Sequence, residues 1–150
     1  MRQQFTEEMK TALKAGDKGR LAAIRLIIAA LKEKDIEARG AGRTEASPEE
    51  ILGMLQKMIK QRQESADVYD KGGRPELAAG ERAEIAVISS FLPKQMDETE
   101  VKAAIAGAIA AVGAASMKDM GKVVAELRGK YAGQMDFGKA SGLVKAALGG

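Results

Sequence analysis

Residues 21–31 read Leu-Ala-Ala-Ile-Arg-Leu-Ile-Ile-Ala-Ala-Leu, and this stretch decides the fold class. Its main apolar side chains recur at helical spacing and form one stripe: Leu21, Ile24, Ile28 and Leu31. The remaining apolar residues widen the stripe, and Arg25 is its one charge. Because a helix that is apolar almost all round is normally buried by its neighbours, we predict that this helix is nearly surrounded and forms the centre of an N-terminal helical core. A lone guanidinium in such a stripe needs a carboxylate partner or a route to water, so we interpret Arg25 as structural.

Helix signals continue in both directions from this stretch. On the N-terminal side, Gly16-Asp17 ends one helix and begins the next, and the apolar face of the first helix is expected to consist of Phe5, Met9, Ala12 and Leu13. On the C-terminal side, residues 39–43 (Arg-Gly-Ala-Gly-Arg) indicate a flexible loop. Ser47-Pro48 with Glu50 then starts a third helix, which is expected to run to Lys71. A fourth helix is expected over 75–92, with Leu77, Ile85, Ile88 and Leu92 on its apolar face, until Pro93 ends it.

Three further helix starts follow the proline. Asp97 with Glu100 and Ser116 with Asp119 have capping-box spacing, and Asp136 is placed to cap the last helix. Alternating β-type runs are absent. The sequence therefore predicts an all-α protein, with a four-helix N-terminal domain over residues 1–92 and a small three-helix domain over 93–150.

Composition narrows the possible chemistry. The 150 residues include no Cys and no His, which removes disulfides, thiolate nucleophiles, the usual general base and the commonest metal ligand. We predict no catalytic residue, no metal site and no cofactor. The longest uncharged run, 103–117, is shorter than a membrane span of about 20 residues. With no apolar leader after Met1, we expect a cytoplasmic protein without a membrane partner.

The C-terminal fifth carries the excess positive charge. Residues 1–92 have net charge +1, whereas residues 118–150 hold six basic and three acidic side chains. The basic residues, which are our candidate RNA-binding set, are Lys118, Lys122, Arg128, Lys130, Lys139 and Lys145. Gly-Lys occurs three times in this segment, at 121–122, 129–130 and 138–139. Glycine permits close approach and lysine supplies charge, so we name Gly121, Gly133 and Gly138 as close-approach glycines. The alternative is an ordinary solvated surface.

Several other patterns have a structural and a functional interpretation. Residues 133–140 nearly match the phosphate-binding pattern G-x-x-x-x-G-K-[ST], but a helix is expected before it and Ala140 replaces the hydroxyl residue. We therefore interpret it as a joint between helices.

The spacing of Asp67 and Asp70 could allow them to bind a metal, but it is more typical of a solvated helical face. The basic residues of the third helix (Lys57, Lys60 and Arg62) fit either an ion-paired surface or an extension of the RNA-binding set. The methionines fit core filling better than an adaptable surface.

Motifs spread over essentially the whole chain resemble the GatB/YqeY family. In the N-terminal part the matching segments are Met9-Lys10, Asp17-Lys18, Arg20-Leu21, Arg25, 29–32, 59–62, Gly73-Arg74, Glu84-Ile85 and 91–93. In the C-terminal part they are 120–123, Gly133, Asp136, Gly138-Lys139 and 143–145. The chain is similar to free-standing YqeY-like proteins, and it departs from the family at Gln134, where the family often has Arg.

This resemblance implies a helical domain joined to a small domain similar to the tail of the amidotransferase B subunit. That subunit belongs to the glutamine-dependent enzyme that amidates misacylated tRNA, and its tail is associated with binding the tRNA body. The family label thus implies carbon–nitrogen ligase activity. However, that activity uses a Ser–Ser–Lys amidase in another subunit and an ATP/Mg²⁺ site in the catalytic cradle, and neither is visible in this chain.

Three hypotheses follow from these observations. The first is an accessory module that binds tRNA or another structured RNA, with an amidotransferase or synthetase protein as a further partner, and that is not catalytic alone. The second is a helical protein–protein adaptor. The third, based on the family label alone, is a genuine amidotransferase.

Overall fold

The structure, a computed structural model that describes residues 1–149, is helical throughout. Its elements are α1 (Arg2–Ala15), α2 (Lys18–Gly40), α3 (Pro48–Lys71), α4 (Pro75–Ser89), α5 (Glu98–Val112), a 3-10 helix (Met117–Asp119), α6 (Met120–Tyr131) and α7 (Phe137–Ala147). No strand occurs in these residues, which confirms the all-α prediction. The chain forms two compact units, the first ending at Leu92 and the second beginning at Pro93.

The helix ends in the first unit follow the capping residues of the sequence. Gly16 ends α1 in the left-handed region, with φ of 69°, and the Asp17 carboxylate accepts a hydrogen bond from the Arg20 backbone N–H at the start of α2. Ser47 and Glu50 form the expected capping box of α3. Each of these contacts satisfies a backbone group that the helix itself leaves unpaired, and they confirm these predicted boundaries.

Helix α4 ends earlier than predicted, at Ser89 and not at Leu92. The backbone N–H groups of Phe91 and Leu92 donate to carbonyls three residues back, those of Ile88 and Ser89. These tighter bonds form a final turn that directs Phe91 into the core, where its ring meets Phe5 edge-on at 5.0 Å between centroids.

The core of the first unit is built around α2, as predicted. Ile24 and Ile27 are completely buried, together with Leu55 of α3 and Ile88 of α4. Helix α2 contacts α1, α3 and α4. Its inner face therefore organises this unit.

Helix α2 is nevertheless not surrounded, and the prediction of a nearly enclosed helix is wrong. Leu26 is 44% exposed, and Arg25 is exposed as well, so this arginine reaches water directly. Leu13 and Leu77, both assigned to inward faces, are exposed at 60% and 40%. Helical spacing groups these residues correctly with their neighbours, but their side chains lie at the edges of the apolar stripes, where no other helix covers them.

The loop predicted over residues 39–43 is shorter and more firmly held than expected. Helix α2 continues to Gly40, and the Arg43 backbone N–H donates to the Ala38 carbonyl. Nearby, the Asp35 carboxylate accepts hydrogen bonds from the Arg2 guanidinium at 2.7 and 2.8 Å and from the Ala46 N–H at 2.9 Å. One carboxylate thus joins α1, α2 and the segment before α3.

The second unit has a smaller core made almost entirely of aliphatic side chains. Val123, Leu127 and Val144 are completely buried. The other buried members of this cluster are Ala104, Ile105, Ala108, Met135 and Ala140. Met54 and Met58 are likewise buried, in the first unit, whereas Met117 is 38% exposed. Core filling therefore accounts for much of the methionine content.

Among the described residues, no single helix is long and apolar enough to span a membrane. Helix α5 and the 117–131 segment together have the length and composition of a span, but the two parts are bent by 96°.

We predict that replacing Ile27 by Ala destabilises the first unit by about 2–5 kcal/mol, because it removes completely buried methyl groups and leaves a cavity. Leu26→Ala, one residue away but 44% exposed, is the control and should cost roughly 0.5 kcal/mol. Urea denaturation followed by circular dichroism measures both. Equal losses for the two variants would contradict the assignment of the buried face.

We also predict a pH-dependent contribution of Asp35 to stability. Hydrogen bonds from Arg2 and then from the Ala46 N–H hold the pKa of Asp35 well below its usual range. Because the folded pKa is lowered, the stabilisation is complete above the unfolded pKa of about 3.9 and is lost as pH falls towards the folded value. The difference in Tm between wild type and Asp35→Asn should therefore be full at pH 7 and shrink below about pH 4. A difference that does not change with pH would contradict this account.

Candidate nucleic-acid interface

All six predicted basic residues lie in the second unit and are exposed. Lys118 is in the 3-10 helix, three residues (Lys122, Arg128 and Lys130) are on α6, and Lys139 and Lys145 are on α7. The structure therefore places the whole predicted set on two neighbouring helices and the turn before them.

Two of the six have partners within the chain. The Arg128 guanidinium lies over the Phe137 ring, 5.5 Å from its centroid, and so joins α6 to α7. The Lys130 ammonium is 3.0 Å from the Glu126 carboxylate, which raises the pKa of Lys130. These contacts reduce the capacity of Arg128 and Lys130 to bind an external anion.

The other four cations, Lys118, Lys122, Lys139 and Lys145, form no ion pair with any residue that the structure describes. The backbone N–H groups of Ala115 and Ser116 lower the pKa of Asp119, with a smaller contribution from the charge of Lys122. Asp119 therefore remains ionised and offsets part of the positive charge near Lys122. Even so, these four lysines are the most available anion-binding groups of the predicted set.

The outer face of α6 presents little side-chain bulk. Gly121 and Gly129 are exposed, and a Cβ atom built on either glycine would meet no heavy atom within 4 Å. Lys122, Ala125 and Gly129 are separated by three and four residues, so they share one helical face. A ligand backbone can therefore come close to α6 beside Lys122.

Gly133 has a different role from the one predicted, because it is buried and cannot receive a ligand backbone. Its φ of 76° lies in the left-handed region, which glycine adopts without strain. The Gly133 carbonyl accepts a hydrogen bond of 2.6 Å from the Gln95 side-chain amide, and the Gln134 carbonyl accepts one of 2.8 Å from the Met96 N–H. This turn therefore anchors the segment that precedes α5.

Local structure also accounts for the presence of glycine at position 138. The Asp136 carboxylate accepts hydrogen bonds from the N–H groups of Gly138 at 2.8 Å and Lys139 at 3.3 Å, and a Cβ on Gly138 would lie 3.1 Å from the same oxygen. The amides that a phosphate-binding loop would offer to its ligand are thus occupied by a carboxylate. Together with the helix that precedes it, this contact supports the interpretation of residues 133–140 as a joint between helices.

The first unit offers a weaker basic surface. Arg62 donates to the Glu84 carboxylate at 2.8 Å and to the Met58 carbonyl, whereas Lys57 and Lys60 are exposed. Asp70, considered above as a metal ligand, pairs with Arg82. In the described part of the chain, no three His, Cys, Asp or Glu side chains are grouped so that they could hold a metal.

A groove of about 370 Å³ in the second unit was missed by the sequence analysis. It lies between α5 and the end of α6, and its lining comprises Met96, Glu100, Ala103, Ala104, Gly107, Ala108, Lys130 and Tyr131. The signal that could have revealed it is the spacing of small residues along α5, where Ala103 and Gly107 follow Glu100 on one helical face.

Comparison with known proteins identifies related sequences. The family model of Yqey-like proteins matches residues 2–148. Altered inheritance of mitochondria protein 41 of Saccharomyces cerevisiae (strain YJM789) is 31% identical over 85 residues, which are 57% of this chain and 44% of the yeast protein. The protein of the same name from Vanderwaltozyma polyspora is 30% identical over 86 residues, which are 57% of this chain and 45% of that protein. The aligned part thus spans less than half of these curated relatives.

The names of these relatives assign them to mitochondria, so the expectation of a plainly cytoplasmic protein is wrong. That expectation depended on the lack of an apolar leader and of an apolar run long enough to span a membrane. Neither feature separates the cytoplasm from the interior of a mitochondrion, because mitochondrial transit peptides are amphipathic and not apolar.

The family match covers nearly the whole chain and agrees with the motifs found in both halves of the sequence. The chain belongs to the YqeY-like family.

Proposed function

We propose that the second unit binds tRNA, or another structured RNA, as an accessory module related to glutamine-dependent tRNA amidation. The observation that carries the proposal is the set of four exposed lysines without an ion pair in the described structure: Lys118, Lys122, Lys139 and Lys145. The resemblance of this part to the tail of the amidotransferase B subunit supports tRNA as the first candidate ligand.

Electrostatics explains why these lysines suit RNA. An ammonium group that is not already paired displaces a condensed counterion when it contacts a phosphate, and the release of that ion favours binding. The exposed glycines of α6 let the sugar–phosphate backbone approach Lys122 closely. Contacts of this kind recognise shape and charge and do not read base sequence.

We further propose that this chain does not catalyse amidation alone. It contains no His and no Cys, and the near-match to a phosphate-binding loop has its amides occupied by Asp136. A catalytic role would therefore require groups from an amidotransferase or synthetase partner.

A helical adaptor is the second candidate function. It is favoured by apolar side chains exposed on the first unit, among which Ile36 and Val68 are 63% and 67% exposed. In this case the partner is a protein, such as an amidotransferase or synthetase. Binding of the purified partner should then weaken in Ile36→Gln and be unaffected in Lys122→Ala.

We predict that tRNA binding falls steeply with salt and depends on the unpaired lysines. Each phosphate contact contributes about 0.7–0.9 to the slope of log affinity against log salt concentration. Lys122→Ala and Lys139→Ala should each reduce that slope by roughly one contact and weaken all tRNAs alike. Fluorescence anisotropy at several salt concentrations measures both effects.

The control for this titration is Lys57→Ala on α3, which removes an exposed charge from the first unit. Its slope should equal that of wild type. If binding is absent, or if Lys122 and Lys139 can be replaced without effect, the RNA proposal is wrong and the adaptor takes its place.

We predict that the purified protein neither hydrolyses glutamine nor consumes ATP, because it contains no Cys and no His and because Asp136 occupies the amides of its near-match to a phosphate-binding loop. Ammonia release and phosphate release are the measurements. Turnover that stays with the protein through a second purification, and that a point mutation abolishes, would contradict this prediction.

A further inference from the structure

The groove between α5 and α6 has a composition suited to a flat ring with a polar edge. Its floor along α5 contains the small residues Ala103 and Gly107, and Tyr131 supplies an aromatic wall. Glu100 contributes a carboxylate and Lys130 an ammonium group to the same groove. A volume of about 370 Å³ lies in the lower part of the range of about 300–1,000 Å³ that small-ligand sites occupy.

The fold holds these groups near one another. The hydrogen bond from the Met96 N–H to the Gln134 carbonyl brings the chain that follows α6 to the start of α5. Helix α5 and the 117–131 segment are bent by 96° relative to each other, and Lys130 and Tyr131 at the end of α6 line the same groove as Glu100 of α5. The small side chains of α5 leave the space beside this crossing open.

The polar groups of the groove indicate what kind of ring would fit. The Glu100 side chain has no hydrogen-bond or ion-pair partner among the described residues, and it is exposed. A carboxylate accepts two hydrogen bonds side by side, and the Watson–Crick edge of guanine offers two neighbouring N–H donors, at N1 and N2. The adjacent guanine O6 is an acceptor that a lysine can bind.

We propose that this groove binds an unpaired guanine base of the RNA. Glu100 accepts from guanine N1 and N2, Lys130 donates to O6, and Tyr131 packs against the ring. This inference rests on the proposed RNA-binding function and adds base recognition to the phosphate contacts. To reach O6, the Lys130 ammonium need only share its contact with Glu126, which is 30% exposed on its side chain.

The openness of the groove favours a base within RNA over a free nucleotide. Glu100, Ala103 and Gly107 are all exposed, so a ligand there keeps one side in water. Free small ligands usually bury about 70–90% of their surface. A base in a longer strand needs less burial, because phosphate contacts elsewhere on the protein hold it at high local concentration.

Single-stranded RNA hexamers test the proposal. Three fluorescein-labelled oligouridines, each with guanosine, inosine or adenosine at one central position, are titrated with the full chain and followed by anisotropy. Inosine lacks only the 2-amino donor of guanosine. Guanosine should bind about tenfold more tightly than inosine and adenosine, and the preference should persist as salt lowers all three affinities.

Two variants examine the groove itself. Glu100→Gln removes the carboxylate, and Gly107→Leu fills the groove without changing charge. An added Cβ at Gly107 meets no atom within 4 Å and leucine favours helix over glycine, so the fold should be retained. Both variants should abolish the preference for guanosine. Glu98→Gln, which removes a charge from the same turn of α5 outside the groove lining, is the control and should keep it.

Equal affinity for the three hexamers, or a guanosine preference that survives Gly107→Leu, would overturn the proposal. Failure of the hexamers to bind at low salt would overturn it too. In both cases tRNA binding in the same buffer, if it still depends on Lys122, shows that the proposed RNA-binding function stands without a base-specific groove. Loss of tRNA binding as well would reject both.

Discussion

Two hydrogen bonds between the start and the middle of the second unit determine its functional geometry. The Gln95 side chain binds the Gly133 carbonyl and the Met96 N–H binds the Gln134 carbonyl. They depend on the positive φ of Gly133, which a residue with a Cβ adopts only at a cost. By fixing the α6–α7 turn against the segment before α5, they place Tyr131 beside the groove and Asp136 at the start of α7. The unit has only a small aliphatic core, so these polar contacts contribute substantially to fixing the relative positions of its helices.

Local features of the fold were predictable from the sequence because short-range chemistry determines them. Gly16, Ser47 and Asp136 end or begin helices where expected, since each satisfies backbone groups within a few residues. Exposure was less predictable. Leu26 and Leu77 belong to apolar stripes, yet they are exposed because the width of a stripe does not reveal how far the neighbouring helices extend. The contact of Arg2 with Asp35 joins residues 33 positions apart, a pairing that no local pattern indicates.

The same limit applies to the candidate interface. Charge counting found the basic residues of α6 and α7, but it could not show that Arg128 stacks on Phe137 and Lys130 pairs with Glu126. The structure therefore divides the predicted set into two residues with internal partners and four that form no ion pair with any described residue. It also changes the role of Gly133 from ligand approach to turn formation. The candidate interface is therefore a smaller set of lysines on a surface where glycines leave little side-chain volume. The groove beside it forms where α5 and the end of α6 meet, so it depends on the tertiary structure.

Lysine footprinting with and without tRNA tests the central claim most directly. Acetic anhydride modifies exposed lysines, and mass spectrometry compares their reactivity in the free and bound protein. The account predicts protection of Lys118, Lys122, Lys139 and Lys145, with unchanged reactivity at Lys57 and Lys60 of the first unit. Protection confined to the first unit, or no protection at tRNA concentrations that saturate binding, would contradict it.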